Sequence, residues 1–192
     1  MDTPLRRTVL AVALLNLAYF GVEFAVAQSI ASVSLLADSV DFLEDASVNL
    51  LIFFAIAWTA TTRARVGMLL AGVLVVPALA FLWALWGKFA HPAPPEPFAL
   101  TVAGAGALSV NLFCAVLLAR FRTHGGSLTR AAFLSARNDA FANVAIVGTG
   151  LLTAYVWPSI WPDVIVGLAI AAMNIDAARE VWEAAQGEHE GA

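Results

Sequence analysis

Four carboxylates, Asp38, Asp41, Glu44 and Asp45, fall inside one apolar run, LLADSVDFLEDASVNLLIFF, residues 35–54. On a helix, Asp38, Asp41 and Asp45 lie within an arc of about 60°, and Glu44 widens it to about 120°. Leu36, Val40, Phe42, Leu43 and Val48 cover the other faces. The acids therefore form a stripe. A lone carboxylate at mid-bilayer depth costs about 3 kcal/mol on insertion scales. A stripe of them needs water, protons, cations or basic partners. Basic partners are scarce: Arg137 and Lys88 stand near opposite ends of their runs.

A second run, FLSARNDAFANVAIVGTG, supplies Ser135, Asn138, Asp139 and Asn143. Ser135 and Asp139, like Asp41 and Asp45, are spaced i, i+4 and share a helix face. Asn16 and Glu23 share a face of the first run, and Asn111 lies in the fourth. Polar groups on four helices imply a polar seam inside a bundle. Asp41 and Asp45 with Asp139 opposite would place three carboxylates around one point. Oxygen ligands of this kind hold divalent cations, whose charge offsets the repulsion among the acids. Without the cation the acids should share protons, so metal and proton compete for the same oxygens. That competition is the physical basis of a metal–proton exchanger.

The elements that must hold these residues are membrane helices. Of 192 residues, 61% are hydrophobic and 12% charged, against about 25% charged in a soluble domain. Mean hydropathy is +0.83. Six apolar runs, about 8–30, 33–60, 66–90, 98–119, 131–156 and 160–184, each reach bilayer-spanning length. They lack the short alternation of a membrane barrel, which predicts an all-α membrane protein of six transmembrane helices. A single transmembrane domain over 1–192 leaves no room for a separate soluble domain. Arg6, Arg7, Arg63, Arg65, Arg120, Arg122, Arg130, Arg137 and Arg179 gather on one side and only Lys88 on the other. Both termini are therefore expected in the cytoplasm. Trp58, Trp83, Trp86, Trp157, Trp161 and Trp182 mark span ends. The loop KFAHPAPPEP reads as extended, RFRTHGGSLTR as flexible at Gly125-Gly126, and Pro77 as a kink in span three. Small residues around Gly104 and Gly106 predict close helix contacts.

ASVSLLADSVDFLEDASVNLL resembles the second transmembrane helix of the cation diffusion facilitator (cation efflux) family, where Ala-Asp precedes an acid or His and then an Asp four residues on. NDAFANVAIVGTGLL resembles the fifth helix and WPDVIVGLAIAAMNIDAAREVW the sixth. NLAYFGVEFAVAQSIASVSLLAD and the stretch from Asn111 fit the first and fourth. The resemblance covers almost the whole chain. It implies export of divalent transition metals from the cytoplasm in exchange for protons, with a metal quartet at Asp41, Asp45, Ser135 and Asp139. Asp38, Glu44 and Asn138 are weaker candidates. The family's His or Asp at one helix-five position is Ser135 here, so Ser135, Asn138, Glu44 or a water remains open as fourth ligand. The resemblance implies a short member lacking the usual cytoplasmic C-terminal domain, so any homodimer must rest on membrane helices. Imidazole favours zinc, carboxylate and water favour manganese-like ions, and Zn2+, Mn2+, Co2+ and Cd2+ all stay in range. The expected setting is a bacterial inner (cell) membrane, with lipid and metal as partners and no nucleic acid.

Plainer roles compete at several positions. Asp38 reads better as orienting the site or facing the outer vestibule, and Glu23 and Asn16 as hydrogen-bonding between helices. Asp163 reads as a helix-start residue favoured by the dipole. Cys114 is an apolar filler, and His91 faces solvent. The tail residues Asp176, Arg179, Glu180, Glu183 and His189 read as a solvated end. Two other functions stand against the exchanger. One is a membrane metal sensor or accessory subunit without transport of its own. The other is an intramembrane hydrolase using Asp45 and Asp139. The stacking of acids on one helix and the lack of a Gly-rich aspartate motif speak against the hydrolase, so no enzyme is expected.

Overall fold

The computed structural model describes residues 3–54, 79–121 and 126–174. Six helices and no strand occur among them: α1 (Thr3–Ile30), α2 (Val33–Phe54), α3 (Leu79–Ala90), α4 (Pro97–Ala119), α5 (Gly126–Tyr155) and α6 (Trp161–Asn174). The all-α reading holds. Expectations for Trp58, Arg63, Arg65, Pro77, Arg122, Gly125, Asp176, Arg179, Glu180, Trp182, Glu183 and His189 lie outside the described residues.

Two boundaries differ from the hydropathy reading. α1 begins at Thr3 and α5 at Gly126, so the arginines beside these spans sit on helix rather than in loops. Apolarity marks the buried length of a helix, whereas backbone bonding continues past it into water. Pro97 opens α4 at a position where its missing N–H costs nothing. Glu96 caps the same helix, accepting from Phe98 N at 3.0 Å and Ala99 N at 2.5 Å.

α1 lies along α2 and α4 along α5, and the two pairs join through α1–α4 and α2–α5 contacts. Among the described residues, Pro4–Ile30 and Pro97–Ala119 are long and apolar enough to span a bilayer on that measure alone. α2 and α5 are interrupted by the acids and polar groups. Large apolar side chains point outward: Leu14, Leu17, Phe113, Val116, Phe141 and Val144 are all exposed. Trp83, Trp86, Phe98, Tyr155 and Trp161 form an exposed aromatic belt at one end, where such rings meet headgroups.

Two apolar layers sandwich a polar middle. Near the end that carries the α1–α2 turn, Val33, Leu35, Leu36, Phe81, Leu100 and Ile146 pack together. Near the opposite, arginine-bearing end, Leu5, Val9, Val12, Ile52, Cys114 and Leu118 pack together. Between them lie buried Asn16, Glu23, Asp38, Asn111 and Asn143. Tyr19 ties three helices in this zone, donating to Ala103 O at 2.6 Å and packing its ring 5.0 Å from Phe42.

Close approach requires glycine at two contacts. A Cβ on Gly104 would stand 2.8 Å from a methyl of Ile146, between α4 and α5. A Cβ on Gly167 would stand 3.0 Å from both Ser34 N and Val33 C, which are backbone and cannot swing aside. Gly148 has open space. Gly167→Ala should therefore lower the thermal midpoint in detergent by forcing α6 off α2. Gly148→Ala should leave it equal or raise it, because Ala is the better helix former by about 1 kcal/mol. Equal midpoints for the two variants would contradict the α2–α6 contact.

Candidate metal centre

α2, α5 and α6 enclose a cavity of about 130 Å³. α2 contributes Asp41, Glu44 and Asp45, α5 contributes Ser135, Asn138 and Asp139, and α6 contributes Met173 and Asn174. The i, i+4 spacing on α2 and on α5 does what helix geometry requires: each pair falls on one face, and the faces meet. Asp45 is buried, Asp41, Ser135 and Asp139 are half-buried, and Asn138 is exposed. Ser135 Oγ donates to Asp45 Oδ1 at 2.9 Å across the α2–α5 contact. Asn138 Oδ1 lies 3.4 Å from Arg137 Nη2. Among the described residues no three acids, histidines or cysteines stand close enough to form a ready-made cage. The acids share a wall rather than converge on one point, as like charges on rotatable stems tend to do.

Asp38 is not part of that wall. It lies about one turn nearer the α1–α2 turn, fully buried, and Asn143 Nδ2 donates to both its oxygens at 2.9 Å. Glu23 of α1 is also fully buried, and no protein N–H or O–H reaches either of its oxygens. Asp38 and Asn143 thus tie α2 to α5 in the polar zone where Glu23 of α1 is also buried.

Asp163 does more than start a helix. It lies in the first turn of α6, but its oxygens also accept from Ser32 Oγ (2.7 Å), Ser34 Oγ (2.7 Å), Val33 N (2.9 Å) and Ser34 N (3.0 Å) at the head of α2. Lys88 of α3, the only lysine in the chain, is buried 3.4 Å from Asp163 Oδ2. It also donates to Ala31 O at 2.6 Å. Ala31 has φ 51°, a left-handed conformation closing α1, with Ser32 N bonded back to Ala27 O at 3.0 Å. A lone lysine on the arginine-poor side was a legible signal of this clamp, but its partner was not. Met173 and Asn174 were likewise missed as cavity residues, because nothing within the sixth run fixes its rotation against α2.

No curated protein matches the chain. The family model for the cation efflux transmembrane domain matches residues 9–186. That match takes in α1 from Val9 onward and the whole of the other five helices, including the three that build the cavity. The chain belongs to the cation efflux, or cation diffusion facilitator, family, whose members are membrane transporters of divalent metal cations.

Proposed function

We propose that this protein is a secondary transporter that exports divalent transition-metal ions from the cytoplasm in exchange for protons. The observation that carries the reading is a cavity lined jointly by Asp41, Asp45 and Asp139, in a chain of this family. Asp41, Asp45 and Asp139 serve as the charged ligands. Ser135 holds Asp45 through its hydroxyl, and Glu44 and Asn138 shape the polar wall. A doubly charged ion entering the cavity draws the three acids inward and displaces the protons they carry. Protons arriving from the far side reverse that step and release the ion. The apolar layer around Leu35, Leu36 and Phe81, together with the Asp163 clamp, lies between the cavity and the α1–α2 turn. It seals that side while ions enter from the arginine-bearing end, which we assign to the cytoplasm. Transport then requires the two ends to open alternately around the acids. The setting is a cell membrane, and a homodimer, if formed, uses the lipid-facing helices.

Purified protein in proteoliposomes with an imposed pH gradient should take up Zn2+, Mn2+, Co2+ or Cd2+, and a protonophore should stop the uptake. Ion binding without flux would favour a sensor or accessory subunit instead. Ser135→His adds an imidazole beside Asp45 and should raise preference for zinc over manganese about tenfold, the scale of 1.4 kcal/mol. An unchanged ion ranking would remove Ser135 from the selectivity argument.

A further inference from the structure

Building on the transport reading, we infer that Asn174 of α6 supplies a neutral oxygen ligand to the transported ion, so that three helices rather than two hold it.

Asn174 lines the cavity that contains Asp41, Asp45 and Asp139. Its amide is oriented by its partner: Ala37 O, 3.3 Å away on α2, can only accept, so the nitrogen faces it. The amide oxygen is left as the acceptor on a side chain that already forms cavity wall. Ser135, the helix-five residue in the matching ligand position, has its hydroxyl proton committed to Asp45 Oδ1. It acts as a positioning group for Asp45 more than as an independent ligand.

Charge points the same way. Three carboxylates against a doubly charged ion already leave excess negative charge, and a fourth acid would hold the ion too firmly to release. An amide oxygen completes the oxygen shell without adding charge, and it suits hard, manganese-like ions better than soft ones. The anchor also couples the site to helix position. Ala37 sits one turn before Asp41 on α2, so Asn174 bridges the ion and the backbone turn that carries one of its ligands. α6 is thereby tied to α2 twice: by Asp163 at its start and by Asn174 at the last described residue. An ion that pulls on Asn174 pulls on α6.

The test uses reconstituted full-length protein with Mn2+ and Cd2+ as the probes. Asn174→Ala should raise KM for Mn2+ about tenfold and KM for Cd2+ much less, changing the ratio of the two. Asn174→Asp keeps the size and oxygen but adds charge, so it should lower KM and also lower kcat as release slows. If Asn174→Ala raises both KM values equally, or neither, and Asn174→Asp behaves like wild type, the inference is overturned. A merely structural role would lower the thermal midpoint without moving the Mn2+/Cd2+ ratio. Failure of the underlying reading looks different: wild-type protein would itself show no flux, whereas intact wild-type flux with indifferent Asn174 variants overturns this inference alone.

Discussion

Asp45→Asn and Asp139→Asn should each lower metal flux at least a hundredfold, while metal-free protein unfolds at the same temperature as wild type or higher. The two halves of that result belong together. Both substitutions preserve volume, and both remove one of the three negative charges that share the cavity wall. For a bound ion, losing one charged oxygen ligand in a site shielded from water costs roughly 3 kcal/mol, which is about a hundredfold in affinity. For the ion-free protein, the same change relieves repulsion among acids that are crowded and partly desolvated. Asp45 keeps a side-chain oxygen to accept from Ser135 in the Asn variant, so the α2–α5 hydrogen bond need not be lost. A structural polar network predicts the opposite pattern: loss of stability first, with transport falling only because less protein is folded. The discriminating measurement is a thermal midpoint with and without metal. Wild type should gain stability on adding metal by linkage, about 2.7 kcal/mol at a hundredfold excess over Kd, and the variants should gain little. Flux within threefold of wild type for either variant would end the assignment of that carboxylate as a ligand.

How far the sequence could carry this picture depended on whether a relation lies within one helix or between two. The spacings Asp41–Asp45 and Ser135–Asp139 are intrahelical, and helix geometry alone placed each pair on one face. That the two faces meet was read from the polar seam and then from the resemblance, and the two pairs do line one cavity. Asp38 looked equivalent to its neighbours by angle, yet it sits about one turn from the cavity wall, held by Asn143 of α5. Depth, not angle, separates it: Asp38 precedes Asp41 by three residues, about one turn of α2. Asn174 and Met173 were invisible for the complementary reason: a residue near the end of an apolar run gives no sign of which neighbour it faces. α5 is helical from Gly126, a glycine that the sequence reading had placed in a flexible loop. The Asp163 clamp joins residues more than 120 positions apart, and only the unusual position of Lys88 hinted at it.

Asp163→Ala should be the most destabilising single change at the clamp. The Asp163 carboxylate stands at the first turn of its own helix and at the head of α2, so the positive ends of two helix dipoles converge on it. It satisfies two backbone N–H groups and two serine hydroxyls of α2, and it is the anion beside buried Lys88. Truncation leaves all of these donors without that acceptor and strands an ammonium group in a buried setting. Removing one partner of a buried pair costs about 3–5 kcal/mol, and at about 2–4 °C per kcal/mol this lowers the thermal midpoint by roughly 10 °C. Lys88→Met should cost less. Asp163 then keeps its four donors from α2, while Ala31 loses the ammonium bonded to its carbonyl and holds its left-handed backbone with one support fewer. Asp163→Asn should fall between them, because an amide oxygen can still accept but its NH2 faces donors. The order Ala, then Asn, then the Lys88 variant is the signature of a carboxylate that organises a helix terminus. A simple ion pair would give similar losses from either side. If Asp163→Ala unfolds within 2 °C of wild type, the clamp does not hold α2 to α6. The first turns of α2 would then be positioned by the Val33, Leu35 and Leu36 packing alone, and the seal on that side of the cavity would be an apolar layer with no polar lock.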